Sequence, residues 1–251
     1  EAINKICSCA LTAIYTSLDG MGLIHDTIRG KINTFNEFTK GITDLINIRN
    51  KINPRLYIEV NCVLSSANLD NLIELIKYLN NFNINAISLQ HVGFIGKENA
   101  NEHNSIYKGT ILEYKINHGS LYKLREKMWL DMNVDKLYNT IQTARKIIKN
   151  KDIVLIPNMN YKQMEQYYYR TNEIVKGFET CGSLWNKSCI DPNGDAIICH
   201  SLMHIMAGNL LQSNIKDIWN GEHYKYIRSE MLKKGIFPIC KRCVQLFYKY
   251  K

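Results

Sequence analysis

In the first part of the chain, continuous apolar runs alternate with stretches in which apolar residues have helical spacing. This alternation predicts strands separated by helices. Runs of apolar and β-branched residues at 13–17, 56–65 and 86–94 are typical of strands buried on both faces. Between these runs, apolar residues recur every three or four positions over 35–50 and 69–79, which is the spacing of amphipathic helices. Strand–helix–strand steps with short links favour parallel strands with helices outside them.

The middle of the chain gives a weaker signal. Residues 95–130 are polar and show little periodicity. After them, 134–148 predicts another amphipathic helix, 153–156 a short strand and 161–176 a helical connector. The alternation of strand and helix therefore extends to residue 160.

Beyond residue 180, shorter elements replace the long ones. Residues 189–199 predict a β-hairpin around Asn193-Gly194, because Asn-Gly is a strong signal for a two-residue turn in which both positions take positive φ. Two short helices follow, over 215–219 and 223–234. A second, smaller region of mixed helix and strand is therefore predicted at this end of the chain.

Composition and charge narrow the class of protein. The 251 residues are 45% hydrophobic and 22% charged, which is ordinary for a globular protein. No apolar run reaches the roughly 18 residues that span a bilayer, and no basic-then-apolar segment opens the chain, so a cytoplasmic protein without a membrane partner is predicted. The net charge of +9 comes from scattered lysines, which disfavours nucleic acid as a partner because such an interface needs clustered charge.

Cysteine is the residue type with the clearest chemical pattern. Five of the eight cysteines follow residue 180, and in a cytoplasmic protein such clusters indicate metal or redox chemistry. Cys181 and Cys199 flank the predicted hairpin, and Cys240 and Cys243 form a Cys-x2-Cys pair. Four thiolates suit a [4Fe–4S] cluster and equally a structural Zn²⁺ ion. Cys189 is a fifth candidate that could replace Cys181, and four reduced core cysteines without metal are the structural alternative.

Several motifs resemble one family, the radical S-adenosylmethionine enzymes that carry a SPASM or twitch extension. In the second region these motifs are Cys181-x12-Gly194-x4-Cys199, Ile190-Asp-Pro-Asn-Gly-Asp, Gly208-Asn-Leu, Ile215-Lys-Asp-Ile-Trp219-Asn and Cys240-x2-Cys243. In the first region, Thr16-Ser17-Leu18-Asp19-Gly20 and His25-Asp26-x2-Arg29-Gly30 are similar to the fourth barrel strand and its loop.

The resemblance implies a fold and a domain division. The fold is α/β, with part of a (β/α)6 partial TIM barrel at 1–160, followed at 161–251 by a small α+β SPASM/twitch domain with a β-hairpin and helices. The family's Cys-x3-Cys-x2-Cys loop, which holds the radical-generating cluster, does not occur in this chain. The chain is therefore interpreted as the C-terminal portion of a longer enzyme, inactive alone, with a degenerate family member as the alternative.

The resemblance also assigns roles to individual residues. Ser17 would reach the ribose of S-adenosylmethionine, and Arg29 its carboxylate or ribose. Gln90, at the end of a strand, would contact the adenine or the methionine end. His200 is a candidate proton acceptor because histidine titrates near neutral pH, although sulfatase-maturing relatives have an Asp at this position. Three of these residues have a structural alternative, Ser17 as a turn residue, Arg29 as a surface residue and His200 as a loop residue.

The function implied is that of a radical S-adenosylmethionine oxidoreductase. Its 5′-deoxyadenosyl radical would abstract hydrogen, and an auxiliary [4Fe–4S] cluster held by the cysteines would oxidise or anchor the substrate. A peptide or small-molecule substrate is expected, with peptide modification preferred, together with a reducing partner such as ferredoxin or flavodoxin. The alternatives are a non-catalytic iron–sulfur or zinc module and a small-molecule dehydrogenase.

The number of auxiliary clusters stays open at this point. The chain has no cysteine after Cys243, which fits a single cluster. With two clusters, Cys240 and Cys243 would belong to the second, and Cys189 would become an extra ligand of the first.

Overall fold

The chain folds into two compact units, and its computed structural model describes residues 2–9, 11–114, 131–199 and 205–247. The first unit is formed by residues 1–92 and 131–161, and the second by 93–130 and 162–251. Among the residues described, no helix is long and apolar enough to cross a membrane. The segment 93–114 thus packs within the second unit, whereas the sequence division at residue 160 placed it in the first part. That domain division stays a prediction.

A four-stranded parallel sheet forms the centre of the first unit, with strands adjacent in chain order. The strands are β1 (Ala13–Ser17), β2 (Tyr57–Leu64), β3 (Ala86–His91) and β4 (Asp152–Ile156). The helices of this unit are α1 (Ala2–Ser8), α2 (Leu23–Arg29), α3 (Thr34–Ile52), α4 (Leu72–Asn80) and α6 (Val134–Ile147), with a 3-10 turn at Leu69–Asn71 before α4. Helices α3, α4 and α6 each bury one apolar stripe, as their periodicity predicts.

The two faces of this sheet differ in chemistry. Side chains alternate between the faces of a strand, and Cα partners in a parallel pair share a face. One face is apolar and buried, and it includes Ile58, Val60, Cys62, Leu64, Ile87 and Leu89. The opposite face carries polar side chains at Ser17, Glu59, Asn61, Ser88 and Gln90. The sequence predicted strands that are buried on both faces. The structure adds that one of these two faces is polar.

The turn from α2 into α3 is organised by one carboxylate. Asp26 accepts hydrogen bonds from the N–H groups of Asn33 (2.6 Å) and Phe35 (2.8 Å). It also accepts one from the hydroxyl of Thr34 (2.7 Å). The Phe35 N–H and the Thr34 hydroxyl, in that order, hold the pKa of Asp26 below its usual value. Asp26 thus satisfies donors at the start of α3 that have no partner inside the helix.

Short elements make up the second unit. Its helices are α5 (Lys97–Tyr107), most of α7 (Tyr161–Tyr169), α8 (Ser183–Asn186), α9 (Ile215–Trp219) and α10 (Glu222–Lys234). Its antiparallel sheet consists of β5 (Cys189–Ile190), β6 (Asp195–Ile197) and β7 (Met206–Asn209), in that order. Two 3-10 turns, Pro238–Cys240 and Val244–Phe247, lie on either side of the second cysteine pair.

The hairpin between β5 and β6 has a different turn from the one predicted. Four residues connect the strands, and Asp191 accepts from the Gly194 N–H at its carbonyl (3.0 Å). Its side chain accepts from the N–H groups of Asn193 (2.8 Å) and Asp195 (3.0 Å). Gly194 has a φ of 86°, but Asn193 is not among the non-glycine residues with positive φ. The prediction of a two-residue turn with positive φ at both positions is therefore wrong, because the Asp191 carboxylate organises a longer turn.

Candidate metal centre

The four predicted ligand thiols come together in one apolar cluster of the second unit. Cys240 and Cys243 are each 6% exposed and belong to its buried core. Cys181 and Cys199 are half-buried and pack against the same core. Folding thus brings two sequence-distant cysteine pairs to one core.

The thiols also influence one another electrostatically. Burial raises the pKa of Cys240 well above its usual value, and Cys243, Cys199 and Cys181 raise it further. Each neighbour disfavours a second negative charge unless a cation is present to share it. This site therefore favours either protonated thiols or a bound metal group that takes the place of the protons.

The start of α8 supplies backbone hydrogen-bond donors to the thiol of Cys181. Burial raises the pKa of its thiol, while the backbone N–H groups of Ser183 and Leu184 act in the opposite direction. Donors around a thiolate sulfur stabilise its charge, and in iron–sulfur sites they are one of the groups that set the reduction potential. Cys181 thus has two opposing influences on its thiolate, of which burial is the larger.

The second pair is held in a tight turn. Pro238 opens the 3-10 turn with its fixed φ, and the Cys240 N–H donates to the carbonyl of Phe237 (2.8 Å). The Cys243 N–H then donates to the carbonyl of Cys240 (2.9 Å). Both thiols of the pair are therefore presented from one short, hydrogen-bonded segment.

Arg242, between these two cysteines, is the principal residue that the sequence reasoning missed. It is 1% exposed, and burial lowers its pKa to about 10, which leaves it charged at neutral pH. Its guanidinium donates to five backbone carbonyls, those of Gln166 (3.0 Å), Tyr167 (2.7 Å), Arg170, Glu173 (2.9 Å) and Lys241 (2.6 Å).

The carbonyl of Arg242 adds two further contacts. It accepts from the hydroxyl of Tyr167 (3.0 Å) and from the N–H of Phe94 (3.3 Å). Close by, Gly93 leaves little room for a side chain, because a Cβ there would lie 3.3 Å from the same oxygen. Arg242 thus fixes the cysteine turn to the end of α7 and to the segment that begins at Gly93. The sequence feature that could have pointed to Arg242 is its position between two candidate ligands.

The donor set fits a thiolate-bound group. Four thiols from two separate segments are the ligands of [4Fe–4S] clusters, and soft thiolates also suit Zn²⁺. Across the described part of the chain, no three His, Cys, Asp or Glu side chains are grouped so as to hold a metal ion. The role of the four cysteines as ligands therefore stays a prediction.

Two further site residues were predicted in this part of the chain, Cys189 and His200. Cys189 lies on β5, and its thiol helps to raise the pKa of Tyr224, for which burial is the main cause. His200 lies outside the described residues. The roles of Cys189 as an alternative ligand and of His200 as a proton acceptor stay predictions.

In the first unit, Ser17 and Gln90 lie on the polar face of the sheet. Both are half-buried, and they are located at or next to the carboxyl ends of β1 and β3. This is the edge at which parallel α/β sheets bind ligands. Two neighbours on this face were missed, Asn61 and Ser88, and the hydroxyl of Ser88 is buried without a hydrogen-bond partner in the described structure. A sequence signal for these two residues exists. Polar residues occupy every second position in Glu59-Val-Asn61 and Ser88-Leu-Gln90, which indicates a polar face.

Arg29 is engaged in an ion pair. Its guanidinium, 40% exposed, lies 2.7 Å from the carboxylate of buried Asp19. The other carboxylate oxygen of Asp19 accepts from the Val63 N–H (2.9 Å), and the Asp19 N–H donates to Nδ1 of His25 (3.0 Å). Asp19 therefore holds the turn after β1 and orients Arg29, and the exposed part of the guanidinium keeps donors for a ligand.

Comparison with known proteins adds independent findings on this architecture. Residues 181–244 match the family model of SPASM, an iron–sulfur cluster-binding domain. A search of curated proteins gave no significant match.

Two solved structures of SuiB from Streptococcus suis share the fold. A SuiB structure bound to S-adenosylmethionine is 14% identical with a TM-score of 0.58, and covers 95% of this chain and 51% of that chain. A second SuiB structure is 13% identical with a TM-score of 0.56, and covers 96% of this chain and 51% of that chain. The chain thus spans about half the length of the SuiB chains, and the predicted α/β fold is confirmed. The match over residues 181–244 confirms the predicted SPASM extension.

Proposed function

We propose that this chain is part of a radical S-adenosylmethionine enzyme of the oxidoreductase type, and that its four clustered thiols hold an auxiliary [4Fe–4S] cluster. The observation that carries the proposal is the convergence of Cys181, Cys199, Cys240 and Cys243 on one apolar core inside the SPASM match. Because Cys240 is influenced by Cys181 and Cys199 as well as by Cys243, one shared cluster is favoured over two separate ones.

The residues around the thiols prepare the site for a cluster. The apolar core surrounds the thiols, the backbone N–H of Ser183 stabilises the Cys181 thiolate, and the Arg242 network holds the second pair. When bound, S-adenosylmethionine supplies the radical that takes hydrogen from the substrate, and the cluster supplies an electron acceptor or an anchor for it.

The first unit is proposed to bind S-adenosylmethionine, which is bound in one of the SuiB structures. The Ser17 hydroxyl would bond to ribose hydroxyls, the Arg29 guanidinium to a carboxylate, and Gln90 to the adenine or methionine end. His200 is proposed as the proton acceptor for the substrate. Peptide or protein modification is the preferred reaction, with a small-molecule substrate as the alternative, a ferredoxin or flavodoxin as reductant, and the cytoplasm as location.

Metal and sulfide analysis of the chain, purified and reconstituted without oxygen, tests the cluster. We expect about four iron and four sulfide per chain, lost in a Cys240→Ala, Cys243→Ala variant. Cys9→Ala, which removes an exposed thiol outside the set, is the matched control and should keep its iron. Cys189→Ala should also keep it if the four clustered thiols are the ligands.

The same metal and sulfide analysis tests the competing function. The four-thiol donor set also suits Zn²⁺, which would make this region a structural, non-catalytic module. About one zinc per chain without labile sulfide would establish that module and overturn the proposed redox role.

A further inference from the structure

The turn after β1 is held by a buried histidine that the proposed function does not use. His25, in α2, is 3% exposed, and its Nδ1 accepts a hydrogen bond from the backbone N–H of Asp19 (3.0 Å). A backbone N–H can only donate, so Nδ1 carries no proton and the ring has its single proton on Nε2. The contact therefore requires the neutral form of His25.

Asp19 links this contact to Arg29. One carboxylate oxygen of Asp19 lies 2.7 Å from the Arg29 guanidinium, and the other accepts from the Val63 N–H (2.9 Å). The backbone of Asp19 is bonded on both sides, because its N–H donates to His25 and its carbonyl accepts from the Asn68 amide (2.8 Å). These backbone bonds fix the position from which the carboxylate holds Arg29.

The surroundings of His25 disfavour a second proton on its ring. Burial lowers the pKa of His25 and the charge of Arg29 lowers it further, while Asp19 and Asp26 act in the opposite direction. From α3, the ring of Phe38 contacts it edge-on and carries no charge. Protonation thus requires a pH below the usual histidine value of about 6.5. It would set two donors against each other and add a cation that competes with Arg29 for Asp19.

Resting on the proposed S-adenosylmethionine site, we infer that His25 is a positioning residue, which sets through Asp19 the orientation of Arg29 toward the ligand. With neutral His25, the Asp19 carboxylate holds a guanidinium that is still 40% exposed and keeps donors for a ligand carboxylate. Protonation of His25 removes the acceptor of the Asp19 N–H and releases Arg29 from this orientation. Ligand affinity in the first unit therefore depends on the protonation state of His25.

Calorimetric titration of the chain with S-adenosylmethionine, from about pH 7.5 to about pH 5, tests this inference. The affinity of the unmodified chain should fall about threefold or more as neutral His25 is depleted. His25→Gln supplies an amide oxygen as acceptor but does not titrate, so its affinity should change by less than about twofold. His25→Leu lacks the acceptor and should bind about tenfold more weakly at both ends of the range. His223→Gln, at an exposed position of α10, is the control and should keep the pH dependence of the unmodified chain.

Nuclear magnetic resonance of the ligand-free chain, with arginine labelled by ¹⁵N, gives a second readout. An ion pair slows rotation of the guanidinium, so the two Nη groups of Arg29 should give separate signals at neutral pH. We expect these signals to merge as pH falls in the unmodified chain and to stay separate in His25→Gln. Arg29→Lys identifies them by their loss.

The other outcomes are equally decisive. The same pH dependence in His25→Gln and in the unmodified chain would overturn the inference, as would unchanged Arg29 signals in a folded His25→Leu. If His25→Leu does not fold, the comparison of His25→Gln with the unmodified chain decides. Absence of S-adenosylmethionine binding by the unmodified chain at neutral pH would count against the proposed ligand site, and the Arg29 signals would then decide the role of His25 by themselves.

Discussion

Asn68 shows how much a single buried amide contributes to the first unit. It is fully buried, and its side-chain N–H groups donate to the carbonyls of Asp19 (2.8 Å) and Val63 (2.7 Å). Its carbonyl oxygen accepts from the Ser65 N–H (2.9 Å). One side chain therefore joins the turn after β1 to the end of β2, next to the carboxyl edge of the sheet.

Replacing Asn68 by Ala should destabilise the chain strongly. The change leaves three backbone groups without their partner, and we expect a loss of about 2–4 kcal/mol in the free energy of unfolding. Urea denaturation measures it. Asn50→Ala, at an exposed position of α3, is the matched control and should change stability by about 0.5 kcal/mol or less. Equal losses in the two variants would contradict the role assigned to Asn68.

At the scale of elements, the Asp26 carboxylate joins α2 to the start of α3. Its folded pKa lies below the unfolded value, so its contribution to stability is present above the unfolded pKa and is lost as pH falls through the folded one. We expect Asp26→Asn to be less stable than the original chain at pH 7. The gap should shrink as pH falls below about 4, where the unfolded carboxyl is already protonated.

Unfolding by urea at neutral and acidic pH measures this gap. Asp44→Asn, on the exposed side of α3, is the matched control because its carboxylate makes no hydrogen bond within the described structure. Its variant should differ little from the original chain at either pH. A gap for Asp26→Asn that is independent of pH would mean that Asp26 acts through packing and not through its charge.

The hairpin turn of the second unit depends on one glycine. Gly194 has a φ of 86°, and a Cβ there would lie 3.2 Å from Leu211 and 3.3 Å from Asn209. Gly194→Ala should therefore cost about 1–3 kcal/mol of unfolding free energy, measured by thermal or urea denaturation. Gly41→Ala, in α3 with open space around it, should instead stabilise the chain by about 0.5–1 kcal/mol. A neutral Gly194→Ala would show that the turn adapts.

The predictability of each element depended on how apolar its buried side is. Helix α4 buries four apolar residues at helical spacing and was predicted from the apolar spacing over 69–79. Helix α5 was missed, because its buried side contains Asn99 and His103 beside Ala100 and Tyr107. The oxygen of Leu112 lies 2.6 Å from the His103 ring and the carbonyl of Thr171 accepts from Asn99, so long-range partners make a polar stripe compatible with burial.

At the scale of the whole molecule, the residues of the candidate site also differ in how far the sequence alone predicts them. The convergence of the four candidate cysteines could be predicted, because metal ligation imposes a spacing that is visible in the sequence. Arg242 and Ser88 could not, since nothing local distinguishes a buried arginine from a surface one or a strand serine from a turn serine. The role of Arg242 depends on carbonyls more than 60 residues away, and that of Ser88 depends on the adjacent strand.

The location of all four thiols in the second unit leads to a prediction for the whole chain. A group that binds only the folded thiol set adds its binding free energy to the stability of the segments that carry it. Cluster loading should therefore slow amide hydrogen exchange at least tenfold around 181–199 and 236–246, and much less in β2 and β3. Exchange measured by mass spectrometry on loaded and unloaded chain gives the comparison.

A chain with Cys240→Ala and Cys243→Ala, treated with iron and sulfide in the same way, separates binding from the effect of the reagents. It should show no gain in protection in either unit. Equal gains in both units of the unmodified chain would mean that loading stabilises the chain as one cooperative body, and the assignment of the cluster's energetic effect to the second unit would be wrong. Protection confined to the segments with thiols would place the stabilising effect of the cluster where the four sulfurs converge.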